Sequence, residues 1–229
     1  MRQLFVGAIA VFAVFGATPV ALATEAERPP AIWTPIGGEE IRFDVFRKGD
    51  KRFGTHVLRF ERLEDGALKV VNDIDLKVRF GPIVPFRYRH DSVELWRDGA
   101  LVSLDGETLK EGDELSVDAA LNEKSMQVRG DGFEGAAPAD IIPSSHWNIG
   151  QVYSDVILSS ENGELMDIET ENLGRETVAL SDGSSIEATR YRLVADLTVD
   201  LWYDDQGRWV KCLFEARGQT VEYVLSALY

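Results

Sequence analysis

The side chains best suited to chemistry are three histidines, His56, His90 and His146, together with aromatic and acidic residues that recur in two places. Three imidazoles hold zinc when they converge and a carboxylate joins them. Their spacing gives no sign of this, because no His-x-His or His-x3-His pair exists, and no metal site is assigned. His90 and Glu94 stand four residues apart on one strand face. That is about 13 Å along a strand, too far to touch but suited to lining one groove. Tyr88, Ser92 and Trp96 share the face, since alternate strand residues point the same way.

A second aromatic set is Trp202 and Trp209, with Asp200 and Lys211 beside them. Cross-strand tryptophans bind sugars or apolar ligands, or simply brace a β-ribbon. The candidate ligand-binding residues are therefore Tyr88, His90, Glu94, Trp96, Trp202 and Trp209. Ser144-Ser145-His146 places nucleophiles beside a base. Sequence neighbours seldom have triad geometry and no G-x-S-x-G elbow is present, so this reads as a cap and a loop. Cys212 is the lone cysteine, which excludes an intramolecular disulfide and a cysteine zinc site. Among Leu, Val and Phe it reads as a small buried hydrophobe. No phosphate loop, dinucleotide fingerprint or EF-hand loop appears, so no catalytic residue and no cofactor is assigned.

The elements that must position these residues are strands. Tyr191, Leu193, Ala195, Leu197, Val199 and Leu201 alternate at period two, and Asp204-Asp205-Gln206-Gly207 then breaks the pattern. The expected result is one long hairpin over 191–214. Its expected register pairs Leu201 with Val210, Val199 with Cys212, Leu197 with Phe214, Trp202 with Trp209, and Asp200 with Lys211. Upstream, 41–47, 54–62 and 68–80 form a meander joined by glycine turns. Gly81-Pro82 and Pro85 mark a bend or a rim loop. The stretch 86–97 is a strand with the Asp98-Gly99 turn after it. Residues 130–143 lack periodicity, and Ser144 is a candidate cap for one helical turn. Shorter strands come next, and 220–228 closes the chain.

No window carries a capped 3.6-residue apolar stripe. The fold class is all-β: a single antiparallel curved sheet forming a barrel or half-open barrel, with at most short helical turns. Met1-Arg2, an apolar core over 4–16 and Ala21-Leu22-Ala23 read as a signal peptide cleaved before Thr24. That leaves 24–229 as a single antiparallel β domain, periplasmic or secreted, with no transmembrane segment. A net charge of −15 argues against nucleic acid and anionic membrane surfaces as partners.

Several stretches resemble a bacterial family of exported proteins of unknown function. They are Phe53-Gly54-Thr55-His56, Tyr88-x-His90-x-x-x-Glu94-x-Trp96 with Asp98-Gly99, Pro143-Ser144-Ser145-x-Trp147-Asn148, and Leu201-Trp202-Tyr203-Asp204. More distantly, the architecture is similar to the periplasmic lipoprotein-carrier half-barrels, and that resemblance implies acyl chains held on a concave apolar face. The expected function is binding or carrying an apolar or amphipathic ligand in the cell envelope. The alternative is an envelope protein–protein interaction or structural domain without a small ligand. An enzyme is the third reading, and it requires a histidine near a carboxylate in a pocket.

Overall fold

A computed structural model of the chain describes residues 32–80 and 82–228. The stretch read as a signal peptide, with the expected cleavage before Thr24, lies outside the described residues. The first half supplies β1 (Glu40–Arg47), β2 (Lys51–Arg62), β3 (Leu68–Phe80), β4 (Ile83–Arg97), β5 (Ala100–Lys110), β6 (Asp113–Leu121), β7 (Met126–Gly130) and β8 (Glu134–Ala137). Then come three short strands: β9 (Ile142–Pro143), β10 (Val156–Leu158) and β11 (Leu165–Asp167). A 3₁₀ turn, Ile149–Tyr153, sits between β9 and β10. The second half supplies β12 (Glu169–Ala179), β13 (Ser185–Val194), β14 (Val199–Asp204), β15 (Trp209–Ala216) and β16 (Gln219–Leu228).

Thirteen strands make one antiparallel sheet, ordered β12-β13-β14-β15-β16-β1-β2-β3-β4-β5-β6-β7-β8. Every neighbour is sequential except at one seam, where β1 pairs with β16. The chain meanders outward from the seam to β8, leaves the sheet, and re-enters at the far edge as β12. So wide a sheet of twisted strands curls, and the result is a half-open barrel with β12 and β8 as its edges. The alternating residues turn inward as expected. Ile41, Phe43 and Val45 of β1 are fully buried, and Val70, Asn72, Ile74 and Leu76 of β3 face the same interior. Burying each such aliphatic or aromatic side chain is worth roughly 1.5–3 kcal/mol.

The segment 138–168, which joins the two halves, runs through the concavity. Trp147 packs edge-on against Phe60 of β2 and Trp96 of β4. Tyr203 of β14 donates its hydroxyl to the His146 carbonyl at 2.7 Å. The strap lies directly on the sheet at Gly106, where an added Cβ would sit 2.6 Å from the Ser160 carbonyl. Its 3₁₀ turn is capped by Asn148, whose side chain accepts from the Gly150 N–H; Ser144 is not the cap. Ile142–Pro143, expected to be structureless, pairs in parallel with Ile157–Leu158.

The hairpin of 191–214 is corrected in two ways. First, 191–194 belongs to β13 and 199–204 to β14, and these pair with each other, Tyr191 opposite Leu201. The uninterrupted alternation concealed a chain reversal near Leu197. Second, the β14–β15 register differs by two residues from the one expected. Leu201 opposes Cys212, Val199 opposes Phe214, Asp200 opposes Leu213 and Trp202 opposes Lys211. A register shift between Trp202 and Tyr203 then puts Tyr203 opposite Trp209. An extra residue in one strand reverses the facing of the residues beyond it, so Trp209 turns inward and the Trp202–Trp209 pair does not form. Pro85 lies within β4, in the part that reaches past the β4–β5 pairing, which begins at Tyr88. No β5 residue there needs its missing N–H.

Candidate functional site

The inward faces of β2 to β5 carry polar residues where an all-apolar core would be expected. His56, Ile74, His90 and Thr108 are successive cross-strand partners, and Leu58, Asn72, Ser92 and Gly106 form the next row. Each buried polar side chain is therefore beside another, as buried polar groups must be. His56 Nε2 lies 2.5 Å from Asn72 Oδ1. His90 Nδ1 is 2.8 Å from the Thr108 hydroxyl and its Nε2 is 3.1 Å from that of Ser92. Burial pushes the His56 imidazole down to about 3, helped by His146 nearby. It pushes His90 down to about 4, with Glu161 pulling the other way. Both rings are neutral at neutral pH.

These rows form one wall of a cavity of ≈ 310 Å³. Ile74, Leu76, Val199, Phe214 and Tyr223 supply its apolar surface; His56, Asn72, His90, Ser144 and His146 supply the polar surface. The opposite wall is the strap and the β14–β16 side of the barrel. At the rim, Glu161 accepts from Tyr88 Oη at 2.8 Å and from Lys110 Nζ at 3.0 Å, and Arg217 pairs with Glu111. Leu197 lines the cavity while 44% exposed, so it stands at the mouth. A more open cleft of ≈ 570 Å³ shares Lys110, Ser144, His146, Glu161, Leu197 and Val199 with the cavity. Cavities of this size are at the lower end of the range for small-molecule sites.

The other half of the interior is organised around Glu94, with a second hollow of ≈ 350 Å³ lined by Trp33, Leu68, Trp96, Leu101 and Trp147. Glu94 is fully buried and its Oε2 accepts from the indoles of Trp96 at 2.7 Å and Trp147 at 2.9 Å. Burial raises its carboxyl above the ordinary range, against hydrogen bonds from Ser145, Trp147 and Trp96. Glu94 and Trp96 thus bind together the strap and β4, and neither lines the cavity. Trp209 packs against Phe43, His56, His146 and Tyr223 as a buttress behind the imidazoles. Trp202 is on the outer face. Its ring is flanked by Arg190 at 4.9 Å and Lys211 at 5.1 Å, and its indole donates to Glu176 at 3.0 Å. Asp200 beside it takes both Arg190 and Arg192. Those stems and charges cover the indole, so this aromatic face is a brace.

Of the six sequence candidates, Tyr88 and His90 line the cavity and the other four do not. Beyond the six, His56, Asn72, Ser144, His146, Glu161 and Tyr223 also line it; His56, Ser144 and His146 stand out in the sequence by residue type but not as neighbours. Asn72 had a readable signal: one polar residue inside an apolar alternation. Nothing in the sequence put His56 and His146 together, because only the crossing of the strap brings them to one space. Among the described residues, no three of His, Cys, Asp and Glu are grouped to hold a metal ion, and no helix is long and apolar enough to cross a membrane. Cys212 is buried, and burial raises its thiol above the ordinary value.

Among solved structures, the fold is similar to a β-barrel-like protein of the domain of unknown function DUF1849 from Brucella abortus. The TM-score is 0.55 at 8% identity, over 84% of this chain and 98% of that one. LprF from Mycobacterium bovis aligns with a TM-score of 0.32 at 13% identity, over 84% and 85% of the two chains. No curated protein matches the sequence. The family model of domain of unknown function DUF6134 matches residues 43–226, and the chain belongs to that family.

Proposed function

We propose that this protein is an exported single-domain binder or carrier that holds an apolar or amphipathic small molecule in the half-barrel, within the cell envelope. The observation that carries the reading is the cavity of ≈ 310 Å³ between the sheet and the strap, apolar on most of its wall, with His56, Asn72, His90, Ser144 and His146 as polar groups in it. A core built only for stability fills its interior at crystal-like density. A leader over 1–23 and a domain over 24–229 fit the same reading.

The edge strands lend no weight to an interaction domain. β8 has four residues, and β12 carries Glu169, Glu171 and Glu176 with a register shift at Asn172–Gly174. Short, charged, irregular edges resist strand addition.

The test is native mass spectrometry with organic extraction of protein purified from its own host envelope. A co-purifying molecule that is lost in Val199→Trp, which fills the cavity, supports the reading. A clean apo mass, together with no uptake of octyl-chain probes in vitro, overturns it.

A further inference from the structure

His146 has a conformation that a histidine seldom adopts. Its φ is +66°, in the left-handed region that disfavours any residue with a Cβ. Three hydrogen bonds hold it there in a closed loop. The His146 ring meets Gln151 Oε1 through Nδ1 at 3.0 Å. Gln151 Nε2 donates to the Tyr203 hydroxyl at 2.6 Å. That hydroxyl donates back to the His146 carbonyl at 2.7 Å. Each link has one direction. Tyr203 spends its only proton on a carbonyl, so the Gln151 amide nitrogen must donate to it and Gln151 Oε1 must accept. The proton of the neutral imidazole is therefore on Nδ1, and the lone pair is on Nε2. Burial keeps the ring neutral, against the hydrogen bond to Gln151. Trp209 packs edge-on at 5.5 Å and fixes the ring plane.

His146 lines both the cavity and the adjoining cleft, and among the described residues its Nε2 has no hydrogen-bond partner. The other imidazoles of the cavity are occupied or closed off. His90 uses both nitrogens, and the free Nδ1 of His56 is sealed from contact. The charges of the rim are paired, Lys110 with Glu161 and Arg217 with Glu111.

We propose that His146 Nε2 is the polar anchor of the cavity, and that its ligand is an amphiphile whose head is an uncharged hydrogen-bond donor, a hydroxyl on an apolar body. A carboxylate would face a lone pair. An ammonium would enter without a counter-charge, and a bare hydrocarbon would leave the acceptor unmet. This rests on the small-molecule reading above.

The test titrates the delipidated full-length protein by calorimetry with 1-octanol, octyl methyl ether and octanoate. The alcohol should bind about tenfold tighter than the ether, which accepts but cannot donate, and tighter than octanoate. In His146→Asn, chosen because Asn tolerates positive φ, that preference should collapse while the ether still binds. Long-range imidazole ¹⁵N spectra, which need no variant, should show His146 as the Nδ1–H tautomer. Equal affinity for alcohol and ether, tightest binding of octanoate, or an Nε2–H tautomer overturns the anchor and leaves the carrier reading standing. Binding of none of the three overturns the anchor, and with a clean apo mass from the host envelope it overturns the carrier reading as well.

Discussion

Acidification offers the most direct test of the polar interior. His56 is lowered from an ordinary 6.5 to about 3, and His90 to about 4, both chiefly by burial. The unfolded chain takes up these two protons near pH 6.5, while the native state refuses them until pH 3–4. Stability is therefore complete above the unfolded value and falls as pH drops through the window between 6.5 and the folded values. From about pH 7 to about pH 5 each histidine should cost about 2 kcal/mol, and the pair about 4 kcal/mol. Glu94 acts in the opposite sense: its raised carboxyl takes a proton more readily when folded, which offsets part of the loss. The decisive quantity is thus a difference between proteins. His56→Gln keeps a hydrogen-bonding group for Asn72 and has no proton to bind. Urea unfolding, followed by tryptophan fluorescence at about pH 7, 6 and 5, should show a pH slope smaller than wild type by about 1.4 kcal/mol per unit below pH 6. Equal slopes in the two proteins would refute the claim that His56 is held neutral by burial.

Two further outcomes are expected. Glu94→Leu leaves the Trp96 and Trp147 indole N–H groups without their shared acceptor and should destabilise by about 2–5 kcal/mol in urea unfolding, with octanol affinity unchanged, because Glu94 does not line the cavity. Cys212 should resist iodoacetamide in the native protein at about pH 8 and react on unfolding, since its thiol is buried and its pKa raised; rapid native labelling, read by intact mass, would contradict the burial.

Much of the sheet was legible one strand at a time. Ile41, Phe43 and Val45, or Val70, Ile74 and Leu76, announce an inward face by period-two alternation, and glycine turns such as Asp98-Gly99 mark where the chain reverses, with φ of +52° and +82°. The face shared by Tyr88, His90, Ser92, Glu94 and Trp96 was read correctly for the same local reason. Reading failed where the pattern was continuous but the chain was not: alternation from Tyr191 to Leu201 is blind to a reversal that keeps the same face inward. It failed again at Trp209, where one extra residue beside Trp202 turns a side chain from the outer face to the core.

Local pattern was enough for the secondary structure class, the inward face of most strands and the burial of Cys212, because these follow from the two-residue period of a pleated chain and the apolar free energy it captures. The division of the interior by the strap, and the cavity left beside it, came from long-range packing. The strap of 138–168 crosses the concavity, seals Glu94 among tryptophans on one side, and on the other sets His146 beside His56 and His90. Ninety residues separate His56 from His146 along the chain. Their meeting depends on the β1–β16 seam, the curl of thirteen strands and the glycine contacts that let the strap lie on the sheet, and none of these is written in local spacing.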